Sequence, residues 1–144
     1  MNWRSCAIAG SILVLSLTAC SPAPCDEATV KVDCEEFQAP AQDPAVIERE
    51  ITVSKGAVVE FWLCSNPSTG FEWEEAELSD DSVLKETFHE FVAPDSTMPG
   101  SAGQEHWTFE ATGSGDCTVS LRYSRPWEGG EKGVWEFTLD VTVS

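Results

Sequence analysis

The stretch Trp135-Glu136-Phe137-Thr138-Leu139-Asp140-Val141-Thr142-Val143 alternates apolar and polar residues without a break. Successive side chains of an extended strand point to opposite faces, so such a stretch buries one face and wets the other. Residues 134–143 therefore read as a half-buried strand. Working back along the chain, the same period of two recurs in 117–124 with Val119, Leu121 and Tyr123, in 104–112 with Trp107, Phe109 and Ala111, and in 57–65 with Val59, Phe61 and Leu63. Weaker alternation marks 28–34, 46–54, 71–78 and 83–92. No stretch carries a long helical period, and no segment repeats another.

Short strands divided by Gly, Pro and Ser turns predict an all-β fold, an immunoglobulin-like antiparallel β-sandwich. The 144 residues suffice for one such domain. Apolar residues make up 42% of the chain, with six Trp and seven Phe, so it can fill a core and is not an acidic disordered tail. It holds 25 Asp and Glu against 8 Lys and Arg, a net charge of -17. Phosphate backbones need a basic face, so nucleic acid is excluded as a partner. The same charge predicts association that is faster with basic proteins and weakened by salt.

The N-terminus reads as an address. Arg4 precedes a short apolar run from Ala7 to Leu17, too short to span a bilayer, which predicts a signal peptide. Leu17-Thr18-Ala19-Cys20 resembles the bacterial lipobox, in which the Cys becomes the lipidated first residue of the mature protein. The expected division is therefore a leader over 1–19, a lipidated Cys20 with a Pro-rich tether over 20–28, and a folded domain over 29–144. Removing the leader takes away Arg4 and no acid, making the net charge one unit more negative. The expected location is the bacterial cell envelope, bound to the membrane through lipid on Cys20; simple secretion is the alternative. Ser21 lacks the Asp that commonly retains lipoproteins at the inner membrane, which points to an outer membrane where the cell has one.

Three connections have unusual compositions. Asn66, Pro67, Ser68, Thr69, Gly70 and Phe71 follow a strongly patterned strand. Pro67 fixes φ, Gly70 admits positive φ, and the hydroxyls of Ser68 and Thr69 can bond nearby backbone, so the tip is stiff. The second, 94–103, ends in Met98, Pro99, Gly100, Ser101, Ala102 and Gly103, whose small side chains leave backbone open to close approach. The third, Arg125, Pro126 and Trp127, joins a guanidinium, a fixed bend and a flat ring, residue types that dominate interface hot spots. Strands that alternate in direction from 57–65 onward bring all three connections to one end of the sandwich, as in an antibody paratope.

In sequence order these motifs resemble those of the chagasin-like inhibitors of papain-type cysteine peptidases: N-P-T-T-G-[FY], then G-x-G-G, then R-P-[WF]. Asn66 to Phe71 matches the first, with Ser68 where Thr is usual, and Arg125 to Trp127 matches the third. The second departs at Ala102, where the family has Gly; a positive φ there would strain Ala by about 1 kcal/mol or more. The resemblance runs from about Ile47 to Val143 and takes in Glu105, His106 and Trp107, and Leu121, Arg122 and Tyr123. It implies a reversible, uncleaved wedge in which loops 66–71, 98–103 and 125–127 occlude the cleft of a papain-like cysteine peptidase. By that likeness Asn66 to Phe71 sit against the catalytic Cys and His, Gly100 to Gly103 lie along the cleft, and Arg125 to Trp127 grip its rim. The protein is expected to act as a monomer without a cofactor.

Strand directions also constrain the cysteines. Cys64 lies at the loop end and Cys117 at the start of a rising strand, separated by about seven residues at ~3.3 Å each. That is too far for a bond whose Cα atoms sit within ~7 Å. If 28–34 also rises, Cys34 meets Cys64 and Cys25 meets Cys117, one of three connectivities.

An enzyme is not expected. His89 and His106 fall inside strand patterns and read as packed or surface histidines, no CxxC or HExxH occurs, and Asp80 and Asp81 read as a solvated turn rather than a calcium site. Pro67 rules out glycosylation at Asn66. The competing reading is a surface lipoprotein module for adhesion or assembly, without inhibitory activity, in which Trp127 and the acidic surface serve a different partner.

Overall fold

The computed structural model describes residues 25–38 and 44–144. The leader, Cys20 and the tether up to residue 24 lie outside the described residues. The elements are β1 (Cys25–Val32), α1 (Cys34–Gln38), β2 (Ala45–Ser65), β3 (Glu72–Trp73), β4 (Glu77–Leu78), β5 (Leu84–Val92), β6 (Gly103–Ala111), β7 (Gly115–Ser124) and β8 (Trp135–Val143).

The two layers are one curled sheet in the order β3-β7-β8-β2-β6-β5, with β1 also on β2 and β4 also on β7. The 21-residue β2 joins the layers. Its first half, Ala45 to Val53, pairs with β8, and its second, Val58 to Ser65, with β6. Both ends of β2 lie at one end of the molecule. Ala45 pairs with Trp135, which pairs with Tyr123, and the Tyr123 hydroxyl accepts the amide N–H of Asn66, next to Ser65. The strand therefore runs down one layer and up the other, turning near Gly56, whose φ of 91° suits only glycine. The expected segments 46–54 and 57–65 thus form a single element.

Doubling back has a second consequence. The first half of β2 runs parallel to β8, and the second half parallel to β1, so the sandwich is not purely antiparallel as expected. The tether also ends earlier than expected. Residues 25–28 belong to β1, where Cys25, Glu27 and Ala28 pair with Val53, Val58 and Val59. A strand requires only backbone partners, and the polar composition of this stretch concealed them.

Inward-facing residues of each strand meet between the layers. Phe61 stacks on Trp107 at 5.2 Å and on Phe109 at 5.5 Å, and Phe137 approaches it at 5.2 Å. All four rings are buried, each contributing about 1.5–3 kcal/mol by leaving water. At the loop end Phe37 of α1 fills the gap between Trp73 and Trp135, with ring centroids 5.5 and 4.7 Å away. This helix was not expected, because five residues are too few to display a helical period. Its start is nonetheless capped: the Asp33 amide donates to Glu36 Oε1 at 3.3 Å, and the Glu36 amide donates to the Asp33 carbonyl. The expected strand 71–78 appears only as β3 and β4, interrupted at 74–76.

Candidate functional site

All three expected loops meet at the end of the sandwich where β2 and β7 finish and β6 begins. Pro67–Thr69 forms one turn of 3-10 helix, with proline pre-setting φ at its first position. The Thr69 amide donates to the Asn66 carbonyl at 3.1 Å, and the Gly70 amide to the Pro67 carbonyl at 3.0 Å. Side chains reinforce the turn: Thr69 Oγ1 donates to the Asn66 carbonyl at 2.7 Å and Ser68 Oγ to Asn66 Oδ1 at 2.5 Å. Gly70 closes it in the left-handed region at φ 80°.

The first loop holds the other two. Asn66 Nδ2 donates to the Gly100 carbonyl of the second loop at 3.0 Å. From the third, an Arg125 guanidinium N–H donates to the Thr69 carbonyl at 3.4 Å, while the guanidinium lies 4.5 Å from the Phe71 ring centroid. The Trp127 indole lies over Gly70. It remains 52% exposed, and Met98 is 74% exposed, so apolar surface is presented at the rim while the loop bases are fixed. Pro67, Ser68, Thr69, Pro99, Gly100, Pro126 and Trp127 are exposed at the tips.

The second loop resolves the departure at Ala102. Positive φ falls at Gly100, at 79°, and no residue other than glycine has positive φ among the described residues. Ala102 keeps an ordinary backbone and packs half-buried against the core. Gly103 is needed for a different reason, since a Cβ there would lie 2.4 Å from the Val92 carbonyl oxygen.

Beneath the loops, Cys34 and Cys64 form the expected disulfide, with Cα atoms 5.0 Å apart. It ties α1 to the residue two before Asn66. The Trp73 indole N–H also donates to the Cys64 carbonyl at 2.9 Å. The second expected bridge does not form. Cys117 is a free, buried thiol, and Cys25 is disulfide-bonded but not to it. The two do sit near the same end, as Cys25 aligns with Val53, Val53 with Val143 and Val143 with Gly115. But β2 and β8 lie between β1 and β7 there, about three strand spacings of ~4.8 Å, beyond disulfide reach.

Several anchors were not read from the sequence as parts of the site. Tyr123 bonds the Asn66 amide at 2.8 Å, and burial pushes its phenol pKa up, only partly opposed by the hydrogen bonds it receives. The Lys132 ammonium donates to the carbonyls of Arg125 and Trp127, and the Arg125 amide to the Glu131 carbonyl at 2.8 Å. The Tyr123 contact joins residues 57 apart in sequence, whereas those of Lys132 and Glu131 close a turn within seven residues of Arg125. Asp80, as expected, belongs to a turn: its carboxylate accepts both the amide and hydroxyl of Ser82, which holds it below the usual carboxylate range. His106 is packed, stacked on Trp62 at 3.9 Å. His89 stacks on Trp107 at 4.4 Å.

Interlocked loops at one end of an immunoglobulin-like sandwich form a paratope-like binding surface. The chain belongs to the Chagasin family of peptidase inhibitors, I42, whose profile matches residues 52–141. Chagasin of Trypanosoma cruzi is 35% identical over 92 residues, covering 62% of this chain and 84% of the relative. Amoebiasin-2 of Entamoeba histolytica is 28% identical over 91 residues, covering 63% and 74%. Among solved structures, the cysteine protease inhibitor EhICP2 of E. histolytica shares the fold with a TM-score of 0.63 at 22% identity, covering 82% of this chain and 97% of that one. PbICP-C, solved in complex with falcipain-2, has a TM-score of 0.57 at 14% identity, covering 81% and 98%. β1 and α1 lie outside the matched segment.

Proposed function

We propose that this family member is a reversible inhibitor of papain-like cysteine peptidases, occluding the active-site cleft with residues 66–71, 98–103 and 125–127. One observation carries the reading: the first loop is bonded to the second through Asn66 and Gly100 and to the third through Thr69 and Arg125. Loops fixed before binding lose little conformational entropy when they dock. A compact turn at Pro67–Thr69 offers no extended peptide in attack geometry, which accounts for an inhibitor that is not cleaved. Papain titrated with the purified domain should lose activity stoichiometrically; full activity at micromolar excess would refute the reading.

The inhibitor acts as a monomer from the cell envelope, held by lipid on Cys20 after removal of residues 1–19. Several acyl chains give durable attachment, since each buried CH2 adds about 0.8 kcal/mol. A palmitate analogue should label the protein in cells and fail to label Cys20→Ala. Labelling that survives the substitution would remove the anchor from the proposal.

A further inference from the structure

A buried carboxylate stands directly behind the first loop. Glu105, on β6, is only 7% exposed, and burying such a charge is unfavourable unless hydrogen-bonding partners satisfy it. Its two oxygens are used in opposite directions. Oε1 accepts the Ser65 hydroxyl at 2.9 Å, and Oε2 lies 2.8 Å from His89 Nε2. Ser65 is fully buried and directly precedes Asn66. The Tyr123 hydroxyl accepts the Asn66 amide from the other side. A chain of hydrogen bonds thus leads from His89 through Glu105 to Ser65, whose backbone continues directly into Asn66 of the loop.

The outer end of this chain is accessible to protons. The His89 side chain is 41% exposed on the edge strand β5, with one face stacked on Trp107. Around it stand Glu105 of β6, Glu86 of β5, and Glu74 and Glu75 between β3 and β4. Among the described residues, His89 is the one basic side chain lining that hollow, so its protonation introduces a cation among carboxylates.

We propose that Glu105 and Ser65 are positioning residues of the first loop, and that His89 tunes them, so that affinity for the peptidase follows the protonation of His89. A charged His89 pairs with Glu105 and holds the carboxylate, and hence Ser65 and the Asn66 backbone, in the docking arrangement. A neutral His89 offers a weaker, tautomer-dependent bond. This rests on the loop assignment proposed above.

Dissociation constants for papain are measured for wild type, His89→Gln, Ser65→Ala and Glu105→Gln from about pH 5 to about pH 8. Trp127→Ala and Thr69→Ala serve as loop controls, and thermal unfolding of each variant is followed in parallel. Taking each variant relative to wild type cancels the peptidase's own pH dependence. His89→Gln should match wild type at the alkaline end and bind about threefold more weakly at the acid end. Ser65→Ala should weaken binding about tenfold across the range, at temperatures where it remains folded. A His89→Gln ratio that is flat with pH, while the loop controls still weaken binding, overturns this proposal alone. Loop controls that bind like wild type overturn the loop assignment instead. The outcome does not depend on Glu105→Gln folding, because Ser65 and His89 probe the chain from either side.

Discussion

The indole of Trp127 rests on the Cα of Gly70: a Cβ at Gly70 would lie 2.6 Å from Trp127 Cη2 and 3.2 Å from Cζ3. Gly70 thus has two separate requirements for glycine, its φ of 80° and this contact. Through it, the turn of the first loop sets the position of the aromatic ring of the third.

Gly70→Ala should therefore weaken inhibition and stability together. Left-handed strain alone amounts to about 1–2 kcal/mol, and displacement of the indole adds to it. Trp127→Ala alone should weaken binding by more than ~1 kcal/mol. In a double-mutant cycle, Gly70→Ala should be less harmful once Trp127 is already Ala, because only the backbone strain remains. Additive effects on the inhibition constant would show that the two residues do not act through their contact.

Tyr123 ties β7 to the first loop and is the chain's one tyrosine, so its ionisation can be read alone from tyrosinate absorbance. Burial raises its pKa above the ordinary tyrosine value near 10. The neutral form is therefore favoured in the folded state. Its contribution to stability is complete below about pH 10 and is lost as pH rises through the folded value. Alkaline unfolding should track the absorbance change, and Tyr123→Phe should abolish that step while weakening inhibition near neutrality. An absorbance midpoint at the free-tyrosine value would contradict the buried phenol.

The Cys34–Cys64 bridge closes a separation of 30 residues, for which loop-closure entropy predicts about 3–4 kcal/mol. Cys34→Ser should lower the unfolding midpoint substantially. It should also reduce inhibition, because it releases α1 from the strand leading into Asn66. Unchanged calorimetric unfolding would show that the core and Phe37 packing suffice without the bridge.

Ala102→Gly restores the family's residue in the second loop, but the structure gives no reason for a gain. Positive φ occurs at Gly100 rather than at position 102. The substitution removes a methyl group packed against the core and adds backbone freedom, lowering stability by about 0.5–1 kcal/mol. Inhibition constants should stay within about twofold of wild type. A large improvement would mean that the bound loop adopts a different backbone.

Much of this architecture is legible in the sequence because it is local. Strand period is visible at Trp135, Phe137 and Leu139, and turn chemistry is visible at Pro67 and Gly70. Alternating strand direction then suffices to gather the three loops, and with 28–34 taken as rising it also brings Cys34 to Cys64. Tertiary structure alone decided what depends on register and side-chain direction. It turned β2 back on itself, seated Phe37 between Trp73 and Trp135, put two strands between Cys25 and Cys117, and laid Trp127 on Gly70. Sequence period determines which face of a strand is buried; which partner a buried or reaching group meets is determined by how the strands are ordered and curled in space.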